Sequence, residues 1–365
     1  MKRHTYRFSA SAIGLVATLS GSSLAAPPER TLVVDPIELV AGREVPGKPE
    51  LSIEHEGMEY RFATTESRSE FLKNPAKYEV ADGGACGSMG ALAGIGDARR
   101  YAVHDGRYWF FASDGCKATF LKDPASRIEK DDEIPTGTAQ QIASGRASLD
   151  RLVAWAGGVE KLKSLRSYRA TSSKTETVSD KLQVETHEIS IEFPERYYTR
   201  DAWNEHWYST IRNADSAAMA SARNHETIAK SRRTAFNRTM ARVPIVILKS
   251  YVENNGLVVV GDGEGMVGET SVEFVKVSLH NATSRLAIEK STGRLVQLAF
   301  HGRDATSAIG DSVRTFTKYS SVDGITLPTA YTVNFSGKEI AAAGVAFDAF
   351  ETNPVLSADL FKTTK

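Results

Sequence analysis

Two cysteines are the residues of this chain whose type and spacing could do chemistry. Cys86 and Cys116 are its only cysteines, and 30 positions separate them. A thiol pair can close a disulfide, as is common in exported proteins, or hold a soft metal ion such as Cu(I) or Zn(II). Met89 and His104 lie between the two cysteines in the sequence and are candidates for further metal ligands.

We favour a disulfide between Cys86 and Cys116, because paired thiols usually join in an oxidising compartment. Closing such a loop would stabilise the fold by roughly 3–4 kcal/mol. A metal or redox site is the alternative, although two thiols fall short of the four ligands of a structural zinc site. Free buried thiols are the third possibility. All three stay open at this point.

No other motif in the sequence indicates catalysis. Residues 263–268 fit G-x-G-x-x-G, but the alternating residues that follow predict a strand. A dinucleotide site needs a helix there, with its N-terminus facing the pyrophosphate. The 45 basic residues are balanced by 45 acidic ones, which argues against a nucleic-acid binder. We therefore expect a non-enzymatic protein without a cofactor, with Cu or Zn at the cysteines as the alternative.

The segment that carries the second cysteine is repeated along the chain. Residues 55–76 match residues 104–125 without a gap, and nine of the 22 paired positions are identical. In each copy, two alternating apolar runs around an acidic residue and a glycine predict a β-hairpin. Apolar residues at helical spacing then predict a helix that ends before a proline. A unit of about 45 residues buries little core alone, so we expect the copies to pack together.

The repeat also bears on His104. It aligns with His55, which belongs to the copy without cysteines. A histidine that recurs without the thiols is better explained by a structural role than by metal binding. We therefore favour a structural His104 and keep it as a possible ligand.

Both copies resemble a known family. The first reads GMEYRFATTESRSEFLKNPAKY over 57–78, after an Asp-Pro at 35–36, and the second reads GRYWFFASDGCKATFLKDPASRI over 106–128. These segments resemble YHS domains across about residues 33–130. The resemblance implies small metal-associated modules that often accompany copper- or mercury-handling proteins.

The cysteines follow the YHS pattern only in part. Cys86 and Cys116 match two of its cysteine positions, and Ala112 replaces the third. In the first copy, Glu38 stands near the first position, and Ala63 and Ser67 replace the other two. The departure from the family pattern argues against metal binding by the first copy.

The first 26 residues are typical of an export signal. A basic start is followed by an apolar stretch without charge, which ends in small residues at Ala26 before two prolines. We expect cleavage near Ala26, a periplasmic or secreted protein, and no transmembrane segment after cleavage. The domain plan is then a signal at 1–26, repeats at 31–80 and 81–130, a polar linker at 131–146 and a second half at 147–365.

The second half is predicted to be mostly strand. Alternating apolar residues joined by short turns, from residue 168 onward, predict one antiparallel sheet that curls. A helical insertion is expected over about 214–254, with the basic run at 230–233 on its solvated face. The fold class is α+β: two small αβ modules followed by a curved half-barrel with a helical lid.

This half resembles the LolA/LolB lipoprotein-sorting superfamily in five segments. They are LVAWAGGVEKLKSLRSYRAT at 152–171, EFPERYYTR at 192–200, LAIEKSTGRLVQLAFHG at 286–302, YSSVDGITLPTAYTV at 319–333 and FETNPVLSADLFK at 350–362. The resemblance implies an apolar cavity for acyl chains. We expect a lipid or other apolar ligand, with envelope proteins as candidate partners. The candidate lining residues are Trp203, Trp207, Tyr208, Phe236 and Met240.

Overall fold

The computed structural model describes residues 28–178, 181–204, 206–222, 225–304, 308–340 and 343–364. The export signal predicted at 1–26 lies outside these residues. Within the described ranges, no helix combines the length and the apolar character needed to cross a membrane.

The two repeats fold as the same hairpin and helix, with every boundary displaced by 49 residues. The first comprises β1 (Thr31–Leu32), α1 (Pro36–Val40), β2 (Lys48–His55), β3 (Met58–Phe62), α2 (Thr65–Lys73) and α3 (Pro75–Tyr78). The second comprises β4 (Asp97–His104), β5 (Arg107–Phe111) and α4 (Asp114–Lys122), after a short 3₁₀ turn at Ala81–Gly84. The hairpin and helix predicted for each copy are confirmed.

Local sequence explains these boundaries. The hairpin turns place Glu56 and Gly57 at φ 50° and 78° and Asp105 and Gly106 at φ 51° and 67°, the left-handed conformation of a two-residue hairpin loop. The α2 and α4 helices are each capped by a hydroxyl side chain that accepts a backbone hydrogen bond three residues on.

The two copies pack together, as predicted. One apolar cluster combines Phe62 and Phe71 of the first copy with Tyr108 and Phe110 of the second, all of them fully buried. The Tyr108 hydroxyl donates a 2.7 Å hydrogen bond to the carbonyl of Tyr78. Each hairpin alone has too little apolar surface for a core, and the shared cluster supplies one.

The second half begins earlier than the sequence predicts. Helix α5 (Ala139–Trp155) covers the end of the predicted linker at 131–146 and is followed by α6 (Val159–Ser164). Its N-terminus is a capping box, in which Thr138 and Gln141 exchange backbone and side-chain hydrogen bonds. Residues 131–138 are held against the second half, since the Asp132 carboxylate accepts the backbone N–H of Thr283 at 2.8 Å.

The strands form two antiparallel sheets instead of the single curled sheet predicted. The first, hereafter sheet A, contains β6 (Ser167–Val178), β7 (Lys181–Glu192), β8 (Arg196–Trp203), β9 (His206–Arg212), β10 (Ala217–Ser221), β11 (His225–Thr227) and β20 (Ala349–Thr352). The second, sheet B, contains β12 (Val258–Val267), β13 (Thr270–Leu279), β14 (Ala282–Glu289), β15 (Leu295–Gly302), β16 (Gly310–Val322), β17 (Ile325–Phe335), β18 (Lys338–Glu339) and β19 (Val345–Ala346).

Between the sheets lie α7 (Lys230–Ala241) and α8 (Pro244–Val252), which we call the lid. The insertion predicted as helical over 214–254 is therefore helical only from Lys230, because the short strands β10 and β11 extend sheet A first. The main apolar core combines side chains of α5, the lid and both sheets. The space between the two sheets is thus filled by the protein's own helices.

Candidate functional site

The second repeat brings the two cysteines together. Cys86 is fully buried, whereas Cys116 is half-buried at the start of α4, where its N–H donates to the Ser113 hydroxyl at 3.1 Å. Both are free thiols, and they pack in the same apolar cluster. The sulfur of Cys86 also accepts the backbone N–H of Ala112 at 3.4 Å. The proximity predicted from the sequence is confirmed, and the choice between disulfide and metal stays a prediction.

The first repeat makes the same contacts without sulfur. The carboxylate of Asp35 accepts the N–H of Ala63 at 2.8 Å and the hydroxyl of Ser67 at 2.5 Å. Ala63 and Ser67 align with Ala112 and Cys116 of the second repeat, so Asp35 takes the place of the second repeat's buried thiol. The sequence pattern pointed to Glu38 instead, which is half-exposed and pairs with Arg43.

His104 makes the same ring contact as its counterpart His55, and its structural role stays a prediction. Its ring meets Phe120 edge-on at 6.0 Å between centroids, and His55 meets Phe71 in the same way at 5.6 Å. Met89 packs in the apolar cluster that contains both cysteines. Across the described residues, no group of three or more His, Cys, Asp or Glu is placed to hold a metal ion.

The two thiols differ in acidity. The hydrogen bond with Cys86 lowers the pKa of Cys116 to about 6, and the Ser113 cap adds to this shift. The same hydrogen bond, together with burial, raises the pKa of Cys86. The thiolate is therefore favoured on Cys116 over Cys86, and thiolates are the nucleophilic form of cysteine.

The five residues predicted to line a cavity lie in three places. Phe236 and Met240 of the lid are each 1% exposed and belong to the core between the sheets. The rings of Trp203 and Tyr208 stack on the inner face of sheet A, with their centroids 5.6 Å apart. Because neighbouring strand residues alternate in direction, Trp207 points to the outer face.

The inner face of β8 changes character along its length. Tyr197 lies in the apolar core, Thr199 and Asp201 follow at 2% and 6% exposure, and the half-buried Trp203 ends the strand. Tyr208, opposite Asp201 on β9, is 37% exposed. This face therefore runs from an apolar interior through buried polar groups to an aromatic rim.

Polar groups that sequence reasoning missed lie in the same interior. On sheet A, His187 Nδ1 and Asp201 Oδ1 are 2.6 Å apart. On sheet B, Arg314 donates to Asp304 at 2.6 Å and lies over the ring of Tyr331. Burial raises the pKa of Tyr331, and the carboxylates of Asp304 and Asp201 add to this shift. These side chains point inward, but which strand face is inward becomes clear only from the pairing of the strands. The sequence alone therefore could not identify them.

The lid is attached to the second repeat through a buried arginine. Arg232, at 0% exposure, donates to the carbonyls of Ala91 and Ala93 at 2.7 and 2.6 Å and pairs with Glu226 at 2.6 Å. The prediction that the 230–233 run is solvated is therefore wrong for Arg232, although Lys230 is exposed. Its backbone partners lie about 140 positions away in the sequence, beyond any local pattern.

Comparisons with known proteins place this chain in no family, since no family model and no curated protein matches it. Solved structures do match. A DUF1329 family protein from Desulfovibrio piger is 11% identical, with a TM-score of 0.39, and 60% of this chain covers 97% of that one.

Two further matches have names that refer to lipoprotein sorting or to LolA. An outer membrane lipoprotein-sorting protein domain from Vibrio parahaemolyticus is 8% identical with a TM-score of 0.37, over 60% of this chain and 97% of that one. A LolA superfamily protein from Nitrosomonas europaea is 8% identical with a TM-score of 0.38, over 58% and 96%. At these identities and TM-scores the matches identify neither a family nor a ligand, and the YHS resemblance stays a prediction.

Proposed function

We propose that this protein is a non-enzymatic carrier that binds an amphiphilic lipid between its two sheets, with α7 and α8 as a movable lid. The graded inner face of β8 carries this proposal. An acyl chain matches the apolar end at Tyr197, and a polar head group matches the buried His187 and Asp201. Ligand sites typically combine apolar walls with a few placed polar groups.

The lid supplies the space that a ligand would take. Phe236 and Met240 fill the apolar end, and α8 adds a row of buried aliphatic side chains from Ile245 to Leu248. Burying each such side chain is worth about 1.5–3 kcal/mol. An acyl chain that replaced the lid against the sheets would cover the same apolar surface, so the exchange is energetically feasible.

Polar contacts hold the lid to the rest of the chain. Besides Arg232, Arg238 donates to the carbonyl of Lys130 at 2.8 Å and to the Asp131 carboxylate at 2.9 Å. Arg242 donates to the carbonyl of His301 at 3.0 Å. In this proposal the repeats and the linker keep the lid closed until a ligand competes for the interior.

The cellular setting and partners are part of the same proposal. We infer export to the periplasm or outside the cell from the signal predicted at residues 1–26, with envelope proteins as donors or acceptors of the lipid. Metal handling by the second repeat remains the alternative. Its support is limited to the two thiols and the nearby Met89.

A matched pair of tryptophan variants tests ligand binding. Trp203 lies on the inner face and Trp207 on the outer face, near the end of the same hairpin. With the fluorescent fatty acid cis-parinaric acid as probe, we expect Trp203→Ala to weaken binding about tenfold, because it removes apolar contact area worth about 1.4 kcal/mol. Trp207→Ala should bind within about twofold of the unmodified protein. Equal losses, or no saturable binding, would contradict the proposal.

A further inference from the structure

We propose that Cys86 and Cys116 form a thiol–disulfide exchange site, at which Cys116 forms a mixed disulfide with a partner and Cys86 resolves it. The partner is a molecule that carries a disulfide, either a small disulfide or a disulfide-bonded protein. This activity is separate from lipid binding and does not depend on it.

The placement of the two thiols supports these distinct roles. Cys116 is half-buried, and residues 112–115, which precede it, are exposed. A partner sulfur can therefore approach Cys116 from solvent. Cys86 is 0% exposed and lies in the same apolar cluster as Cys116, so it can attack a sulfur on Cys116 and is shielded from the partner.

The first repeat shows that the scaffold does not need sulfur at this place. There Asp35 and Ser67 make the corresponding contacts, and both are buried, at 0% and 8% exposure. Helix α1 begins next to Asp35 and packs against α2. In the second repeat the turn at residues 86–90 takes the place of α1, and Cys116 is more exposed than its counterpart Ser67. The first repeat folds without thiols at this place, whereas the second has two, in a more exposed setting. We therefore infer that the thiols have a chemical role.

The exchange is balanced without any further cofactor. The Cys116 thiolate attacks one sulfur of the partner disulfide, whose S–S bond breaks, and the departing sulfur takes a proton from water. Cys86 then loses its proton and attacks the Cys116 sulfur, which releases the partner's second thiol. Two protein thiols are oxidised to one disulfide while one partner disulfide is reduced to two thiols.

Glutathione is the probe for the test, with each cysteine changed in turn. With oxidised glutathione, Cys86→Ser should accumulate a glutathione adduct on Cys116, detected by intact mass. Cys116→Ser should form its adduct at least about tenfold more slowly, because the remaining thiol is buried. The unmodified protein should form its internal disulfide and return to two thiols in excess reduced glutathione.

Three results would overturn the proposal. Equal rates of adduct formation by the two variants would mean that Cys116 is not the attacking thiol and Cys86 not the resolving one. A disulfide that resists reduced glutathione would be structural. Thiols that react only after a chelator is added would belong to a metal site. The unmodified protein supplies the last two readouts, so the test does not depend on the variants folding well.

Discussion

The two repeats share a hairpin and a helix, and they differ in the contact made at the start of that helix. In the first, the Asp35 carboxylate accepts hydrogen bonds from Ala63 and Ser67, and every group is satisfied and buried or half-buried. In the second, Cys86 accepts from Ala112 and meets a half-exposed Cys116. The same hairpin and helix therefore hold either a closed polar contact or a thiol pair of which Cys116 is partly exposed. In our proposal the first copy is structural and the second is reactive.

The repeats also differ in how they contact the lid. The turn that follows Cys86 is held by the buried Arg232. The first copy reaches the lid at its exposed hairpin turn, where Glu56 accepts the backbone N–H of Lys230 at 2.8 Å. The repeat with the thiols is thus the one that is joined firmly to the lid.

Removing the arginine should have the largest effect. We expect Arg232→Ala to lower the free energy of unfolding by about 3–5 kcal/mol, because it leaves the buried Glu226 without its closest partner. Lys230→Ala, on the same helix but exposed, should change it by less than about 0.5 kcal/mol. Urea unfolding measures both. Similar unfolding free energies for the two variants would mean that Arg232 does not stabilise the attachment of the second repeat to the lid.

Replacing Asp35 in the first repeat should give the second-largest loss of stability. Asp35→Ala should cost about 3 kcal/mol, because it leaves the N–H of Ala63 without its acceptor and removes the cap that Asp35 supplies to the N–H of Ile37 in α1. Cys86→Ser should cost about 1 kcal/mol, since a thiol is a weak hydrogen-bond partner. Glu38→Ala is the control, with an expected loss of about 0.5 kcal/mol for a surface pair. A Cys86→Ser loss equal to that of Asp35→Ala would make both contacts structural.

The reactivity of the second repeat should follow pH. Because the pKa of Cys116 is lowered to about 6, its alkylation by iodoacetamide should stay fast at pH 7 and slow only below pH 6. Cys86→Ala removes the hydrogen-bond donor that lowers this pKa and should move the midpoint upward, which slows alkylation at pH 7 by about tenfold. Alkylation rates measured at several pH values give the midpoint for each protein. A midpoint near that of a free thiol in the unmodified protein would contradict it.

A thiol moved into the first repeat should show the smallest reactivity. In a chain that carries both Cys86→Ser and Cys116→Ser, Ser67→Cys places a thiol beside the Asp35 carboxylate. A neighbouring negative charge disfavours the thiolate, so we expect alkylation no faster than that of an unfolded cysteine peptide. Faster reaction would show that the scaffold, and not the thiol pair, activates this position.

Local patterns predicted the repeats well because their structure is locally determined. The 49-residue offset, the acidic-glycine turns and the prolines after each helix are all visible in the sequence. The place of Asp35 was missed because it meets Ser67 across 32 residues. Its equivalence to Cys86 appears only when the two copies are compared in space.

The second half was predicted less well, for two physical reasons. The first turns of α5 are polar and exposed, so they resembled a linker, and their capping box at Thr138 was not recognised. The division into two sheets, the inward Arg314 and the buried Arg232 depend on strand pairing and on contacts between distant segments. Alternation identified the strands but not their partners.

A comparison of native and denatured mass tests the central claim, that the protein carries a lipid between its two sheets. The protein would be isolated from the periplasm of the producing cells without detergent or reductant, beside its Trp203→Ala variant. We predict extra mass of several hundred daltons that is lost on denaturation and is reduced in the variant. A native mass equal to that of the bare polypeptide, or a loss equal to one metal ion, would contradict the lipid-carrier account.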